Sequence, residues 1–194
     1  ELARQLRRLS EIAPVSFASY RRADEMATAM EAFLVVEAAG WKGRRGTAMA
    51  QDPALKRFAA SAVAGLARRG GAAIDAMFVG DRPAAALVRF QAGGLSIPWK
   101  IAYDETFAGY SPGAQLMSHV SRAWLSDPAV SRVDPVCDAD NRLLAQLWDE
   151  RETYATLVLA TGPGRLRPRL AAHLFDARQS ARLLARRSRA RRMS

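Results

Sequence analysis

Two short clusters hold the residue types that chemistry needs. Residues 40–47 read Gly-Trp-Lys-Gly-Arg-Arg-Gly-Thr. Gly40, Gly43 and Gly46 let the backbone approach another group closely. Trp41 offers an aromatic face, and Lys42 a compact point charge suited to a phosphate or carboxylate. Lys42 is one of three lysines against 26 arginines. The second cluster is Tyr103-Asp104-Glu105, with Tyr110 close behind. A carboxylate can take a proton from an amine or hydroxyl, directly or through water, and a phenol can give one to a leaving group. Asp104 or Glu105 is therefore the candidate base, and Tyr103 or Tyr110 the candidate acid. Each cluster also has a plainer reading. Gly40 could end a helix with Trp41 packed on the core, and residues 103–105 could be a solvated turn with Tyr103 buried.

Asp134, just before Pro135, either orients an acceptor or caps a turn. Cys137 has no histidine beside it in sequence to activate it and reads as a small packed residue. His119 and His173 both lie in helical stretches and read as structural or surface groups. One Cys and two His are too few for a zinc site or an internal disulfide framework. They fit a reducing cytoplasm, and no metal is expected.

These clusters need elements to hold them. Leu2 to Ile12 has helical spacing, and Val15 to Tyr20 alternates as a strand does. Ala23 to Ala39 is helical and ends at Gly40. Asp52-Pro53 opens a second helix, with Asp at the cap and Pro in the first turn, running to Gly70. Three strands follow, Ala72–Val79, Pro83–Gln91 and Leu95–Tyr103, joined by Gly80-Asp81-Arg82 and Ala92-Gly93-Gly94 turns. Asp104 to Gly109 reads as a loop. Ser111-Pro112-Gly113 starts a helix to Leu125. A strand at Val130–Val136, a helix at Asp140–Trp148 and a last strand at Tyr154–Ala160 complete the pattern. The expected fold is α+β, a mixed but mainly antiparallel sheet flanked by helices.

A chain of 194 residues with 49% apolar content makes one full domain. The net charge is +10, yet residues 161–194 hold ten arginines against Asp176 alone, so residues 1–160 are nearly neutral. The basic helix containing Arg178, Arg182, Arg186, Arg187, Arg189, Arg191 and Arg192 suits an anionic membrane surface or RNA, or is simply a solvated, frayed end. No apolar run approaches the roughly 20 residues that span a bilayer, and no signal segment opens the chain. The chain starts at Glu1 inside a helical pattern, as a remnant of a longer protein would. The expected organisation is an N-terminal segment (1–22), a domain (23–160), and a linker with an Arg-rich helix (161–194).

Three segments together resemble the GNAT acyltransferase superfamily, in its CelD/BcsL cellulose-biosynthesis branch. They are Phe33-Leu34-x-x-Glu37-x-x-Gly40-Trp41-Lys42-Gly43-x-x-Gly46-Thr47, Ala102-Tyr103-Asp104-x-x-Phe107-x-x-Tyr110-Ser111-Pro112-Gly113, and Asp134-Pro-Val-Cys137-Asp138-Ala-Asp140-Asn141 followed by Leu147-Trp148-x-x-Arg151. The resemblance covers about residues 30–160 and extends to the Fem-type peptidyl transferases. It implies a sheet whose central strand splays from its neighbour. An acetyl-CoA or other acyl-CoA donor would lie in the gap, its pyrophosphate on the helix start at Ser111, Gly113, Ala114 and Gln115. It implies an amine or hydroxyl acceptor, on a sugar or polysaccharide precursor, near Trp41, Lys42 and Asp134. Asp104, Glu105, Tyr103 and Tyr110 would move protons, the acid serving the leaving thiolate. The family phosphate loop reads Gln/Arg-x-x-Gly-x-Gly/Ala. Here Tyr110 takes the first position and the bulky Gln115 the last small one. The Fem relation admits a charged tRNA as donor, and a non-catalytic scaffold in polysaccharide assembly is the remaining reading.

Overall fold

The computed structural model describes residues 1–137, 141–159 and 166–191, with the main chain alone at 142, 166–168 and 182–191. Residues 1–149 form one compact unit and 150–194 another. In the first unit the order is α1 (Leu2–Ser10), β1 (Val15–Tyr20), α2 (Met26–Ala39), the single-turn α3 (Trp41–Arg44), a 3₁₀ turn at Met49–Gln51, α4 (Pro53–Ala67), β2 (Ala72–Val79), β3 (Arg82–Ala92), β4 (Leu95–Tyr103), a 3₁₀ turn at Glu105–Tyr110, α5 (Pro112–Leu125), β5 (Arg132–Val133) and α6 (Arg142–Ala145). The second unit has no regular structure at 150–159 and then α7 (Leu166–Arg191). No helix among the described residues is long and apolar enough to cross a membrane.

The sheet order is β1-β2-β3-β4-β5, antiparallel except for the last pair. The period-2 pattern divides its side chains between two cores. Ala72, Ile74, Ala86, Val88 and Ala102 pack under α2 and α4 with Met26, Met30, Phe33 and Leu34. Met77, Ala85 and Leu87 pack on the other face with Leu9 of α1 and Leu116, Val120 and Trp124 of α5. β2 is buried on both faces, which is why it reads as a continuous apolar run. α4 starts as its sequence predicts, with the Asp52 carboxylate accepting from the Ala54 and Leu55 N–H groups and Pro53 in the first turn.

β4 sets the architecture of the site. Asp104 N–H donates to the Ala84 carbonyl, and pairing then alternates along the antiparallel ladder. Ala102 and Lys100 face β3, whereas Ile101 and Tyr103 turn their main-chain groups to the other edge. Trp99 is the extra residue of a bulge opposite Val88/Arg89. Pro98 follows Ser96 on the outer edge, where its missing N–H costs no ladder bond. β5 covers that edge only at Leu95 and Ser96. Its last bond runs from Asp134 N–H to the Ser96 carbonyl. Beyond this fork the two strands part, and among the described residues none pairs with the outer edge of β4 from Pro98 to Tyr103.

Several expected elements are shorter or absent. The strand expected over Val130–Val136 contracts to Arg132–Val133, because the chain leaves β4 after Asp134. The helix expected from Asp140 is the single turn Arg142–Ala145, with Asn141 accepting from Leu144 N–H; Asp138 and Asp140 lie outside the described residues. The strand expected over Tyr154–Ala160 is not formed at 154–159, and Ala160 lies outside the described residues. Tyr154, Leu157 and Leu159 are exposed, so this stretch buries no apolar face of the kind that fixes a strand's register. The linker Thr161–Gly164 lies outside the described residues. The expected loop at 104–109 is a 3₁₀ turn capped by Asp104.

Candidate functional site

The Trp41-Lys42 segment is a helical turn and is tied down on three sides. Gly40 has φ −86° and ψ −168°. It ends α2 and starts α3 in extended form, without the left-handed conformation of a glycine C-cap. Trp41 N–H, orphaned at the start of α3, donates to Glu105 Oε1 at 2.7 Å. The other Glu105 oxygen pairs with Arg44 at 2.6 Å. Lys42 Nζ reaches Glu37 Oε1 at 2.9 Å, and Met49 N–H donates to Glu37 Oε2 at 2.9 Å. A Cβ on Gly40 would sit 3.6 Å from the Tyr103 carbonyl oxygen and 3.6 Å from Glu105 Oε1. The α2–α3 junction therefore lies against the open edge of β4 where that strand ends. Trp41 is 45% exposed beside it.

The helix start after β4 presents free donors. Ser111 occupies the cap of α5 in a left-handed conformation, φ 52° and ψ 50°, and its side chain caps nothing. Ser111 therefore opens the helix through its main chain alone. Pro112 has no N–H, and Gln115 N–H makes the first bond of the helix, to Ser111 O. The N–H groups of Gly113 and Ala114 lie in the first turn and have no intrahelical acceptor, so they form a place for an anion. Gln115 does not fill it: its side chain is buried and its amide donates to Leu2 O at 2.7 Å, so its bulk is turned toward α1. Tyr103 packs on the same turn, with its Cδ1 3.6 Å from where a Gly113 Cβ would be.

The carboxylates expected as bases are both engaged. Burial pushes the Asp104 carboxyl up. Hydrogen bonds from Thr106 N–H, the Thr106 hydroxyl and Arg82 outweigh it and hold the group below its ordinary 3.8. Glu105 is held below its ordinary value chiefly by the Arg44 hydrogen bond, with Trp41 N–H assisting against burial and the Asp104 charge. The Tyr103 and Tyr110 hydroxyls make no hydrogen bond among the described residues, and both rings border the α5-side core. Asp134 sits at the fork of β4 and β5, its Oδ1 accepting from Val136 N–H at 2.8 Å.

Asp104 gives an acid signature. A folded value below 3.8 contributes stability that is complete above that pH and is lost as pH falls through the folded value. Wild type and Asp104→Asn will thus differ by a constant urea midpoint from pH 6 to 5. The gap will close as pH drops below 3.8. A gap that persists to pH 2 would contradict the assignment.

Sequence reasoning assembled Trp41, Lys42, Tyr103, Glu105, Gly113 and Ala114 in one region without naming what joins them. Glu37, Arg44 and Lys100 were not singled out as site residues. Glu37 was visible as a member of the first resemblance segment, with no role attached to it. Cys137 is exposed, contrary to a packed role, because the chain has left the sheet there. His119 stacks on Phe17 with centroids 4.1 Å apart. His173 lies on α7 and is exposed.

Residues 1–142 match the family profile described as an acetyltransferase (GNAT) domain. An aminoglycoside acetyltransferase from an uncultured soil metagenomic sample, solved in complex with sisomicin, shares the fold. Its TM-score is 0.51 at 8% identity, over 75% of this chain and 97% of that one. A possible acetyltransferase from Clostridium difficile 630 gives 0.51 at 12% identity, over 75% and 99%. No curated protein matches in sequence.

Proposed function

We propose, from the premise that this chain belongs to the GNAT acetyltransferase domain family, that it moves an acyl group, acetyl by first choice, from a CoA thioester to an amine or hydroxyl. The observation that carries this reading is the open edge of β4 beside an uncapped helix start. Ile101 and Tyr103 offer main-chain groups to an extended, amide-bearing donor arm, and Gly113 and Ala114 offer N–H groups to its phosphates. The donor supplies an activated carbonyl, and the chain supplies position and polarity. An outward-facing N–H of β4 would stabilise the oxyanion formed as the acceptor attacks.

Among the four proton-transfer candidates, Tyr103 and Tyr110 make no hydrogen bond among the described residues and suit the acid role toward the thiolate, the proton that the acceptor loses returning to the tyrosine oxygen through water. Carboxylates held below their ordinary range are weaker bases. Asp104 and Glu105 therefore act as positioning groups in this reading, Asp104 on the turn after β4 and Glu105 on the Trp41 segment. Trp41, Lys42 and Asp134 flank the acceptor side. The finer resemblance to the CelD/BcsL branch supports a sugar or polysaccharide precursor as acceptor and a cytoplasmic setting.

Ala114→Glu tests the donor site without touching the core. An acidic residue in the first turn of a helix favours the helix, so thermal stability should hold or rise slightly. Acetyl-CoA affinity, measured by calorimetry, should fall on the order of 10-fold through repulsion of its phosphates. Binding that is unchanged, or absent in the wild type, would sink the assignment.

A further inference from the structure

The geometry points to an acceptor that carries an anionic group, a carboxylate or a phosphate, held by Lys42 and Lys100. This inference rests on the acyltransfer reading and names its substrate class. Lys42 and Lys100, two of the chain's three lysines, converge on one carboxylate. The Glu37 side chain is fully buried, with Lys42 Nζ at 2.9 Å and Lys100 Nζ at 3.8 Å. Lys42 and the Met49 N–H already satisfy both oxygens. Lys100 is beyond hydrogen-bond distance, and its ammonium makes no hydrogen bond among the described residues. An ammonium beside a carboxylate whose oxygens are already taken has donors to give to an incoming anion.

The charge count agrees. Arg44 and Glu105 cancel. Glu37 then faces Lys42 and Lys100, while Arg45 lies over the Trp41 ring at 5.2 Å with no carboxylate within 4 Å among the described residues. The region is left positive by two charges. Lys42 and Lys100 keep 21% and 29% of their side chains open to solvent, so an incoming anion can reach them. They also sit beside the reacting edge: Lys100 is three residues before Tyr103 on β4, and Gly40 lies against the Tyr103 carbonyl. Trp41 and Trp99, with ring centroids 6.0 and 5.7 Å from the two ammonium groups, wall the position with aromatic surface. A small molecule anchored here by its acid group would present an amine or hydroxyl toward the open strand.

Three lysines make a direct test practical. Reductive methylation with ¹³C-formaldehyde keeps each lysine charged and gives separate NMR signals for Lys42, Lys56 and Lys100. The labelled protein, saturated with CoA so that the donor's own phosphate site is filled, is titrated with inorganic phosphate in one arm and propionate in the other. Lys100 and Lys42 should shift saturably, with a midpoint at least 10-fold lower than any response of Lys56. Whichever arm saturates first tells phosphate from carboxylate. In Lys100→Met, and independently in Lys100→Gln, the Lys42 midpoint should rise about 10-fold. Lys100 moving in parallel with Lys56 in both arms would overturn the inference. Calorimetry with acetyl-CoA separates the two claims. Donor binding without a Lys100 response sinks this inference alone. A Lys100 response without donor binding sinks the acyltransfer reading and with it the assignment of the anion to an acceptor.

Discussion

Arg89→Met will lower the unfolding free energy by about 3–5 kcal/mol. Arg89 Nε donates to Asp75 Oδ2 at 2.6 Å, and the two side chains are 4% and 7% exposed. They lie on the α5 face of the sheet, with the Arg89 guanidinium 6.0 Å from the Trp124 ring. Methionine keeps most of the volume but strands an uncompensated carboxylate in the interior, and that stranding is what costs. The same logic predicts reversal. Asp75→Leu combined with Arg89→Met removes both charges and should recover most of the loss, because a buried pair is worth little against apolar residues of similar size. Urea unfolding of the two single variants and the double variant closes the cycle. A single-variant loss below about 1 kcal/mol would mean that the carboxylate stays solvated.

Gly43→Ala will cost about 3 kcal/mol, at the upper end of ordinary overpacking, and will lower the melting temperature by about 6–12 °C. The reason is contact, not conformation. A Cβ at position 43 would fall 1.7 Å from the Ala38 carbonyl oxygen and 2.7 Å from its carbonyl carbon. Both are main-chain atoms of α2 and cannot swing aside. α3 cannot move away either without breaking the Trp41–Glu105 and Lys42–Glu37 bonds. Loss of stability should therefore come with loss of the donor and anion responses described above. Gly46 is the control: nothing lies within 4 Å of its would-be Cβ, but its φ is +69°. Gly46→Ala should cost only about 1 kcal/mol, from backbone strain alone. Equal effects at the two positions would mean that α3 packs less tightly on α2 than its geometry says.

Much of the fold was legible because its signals are local. The limits of β1 and β2 coincide with those read from the sequence, Asp52-Pro53 opens α4, and Gly80 turns the hairpin with φ +59°. The GNAT frame was legible from the spacing of three segments. What escaped depends on distance along the chain. Glu105 acts on Trp41 across 64 residues, and Lys100 meets Glu37 from another element. Neither pairing leaves a periodic trace. Asp75 and Arg89 sit at buried positions of strands that otherwise read as apolar, and each alone looks like an ordinary interruption. Tyr154 to Leu159 failed for the opposite reason. Aromatic and branched apolar residues are present there, but with Tyr154, Leu157, Val158 and Leu159 all exposed no buried face holds them in a strand.

The open half of β4 also bears on how readily one copy of this chain could add to another. Unpaired ladder groups invite a strand from a neighbouring chain, which is how edges seed aggregates. A visiting strand would find little purchase here. Pro98 withholds a donor, the Trp99 bulge breaks the two-residue repeat, and Gly40 lies over the last carbonyl, at Tyr103. The gap is long enough to hold an extended small molecule and too interrupted to template a second sheet.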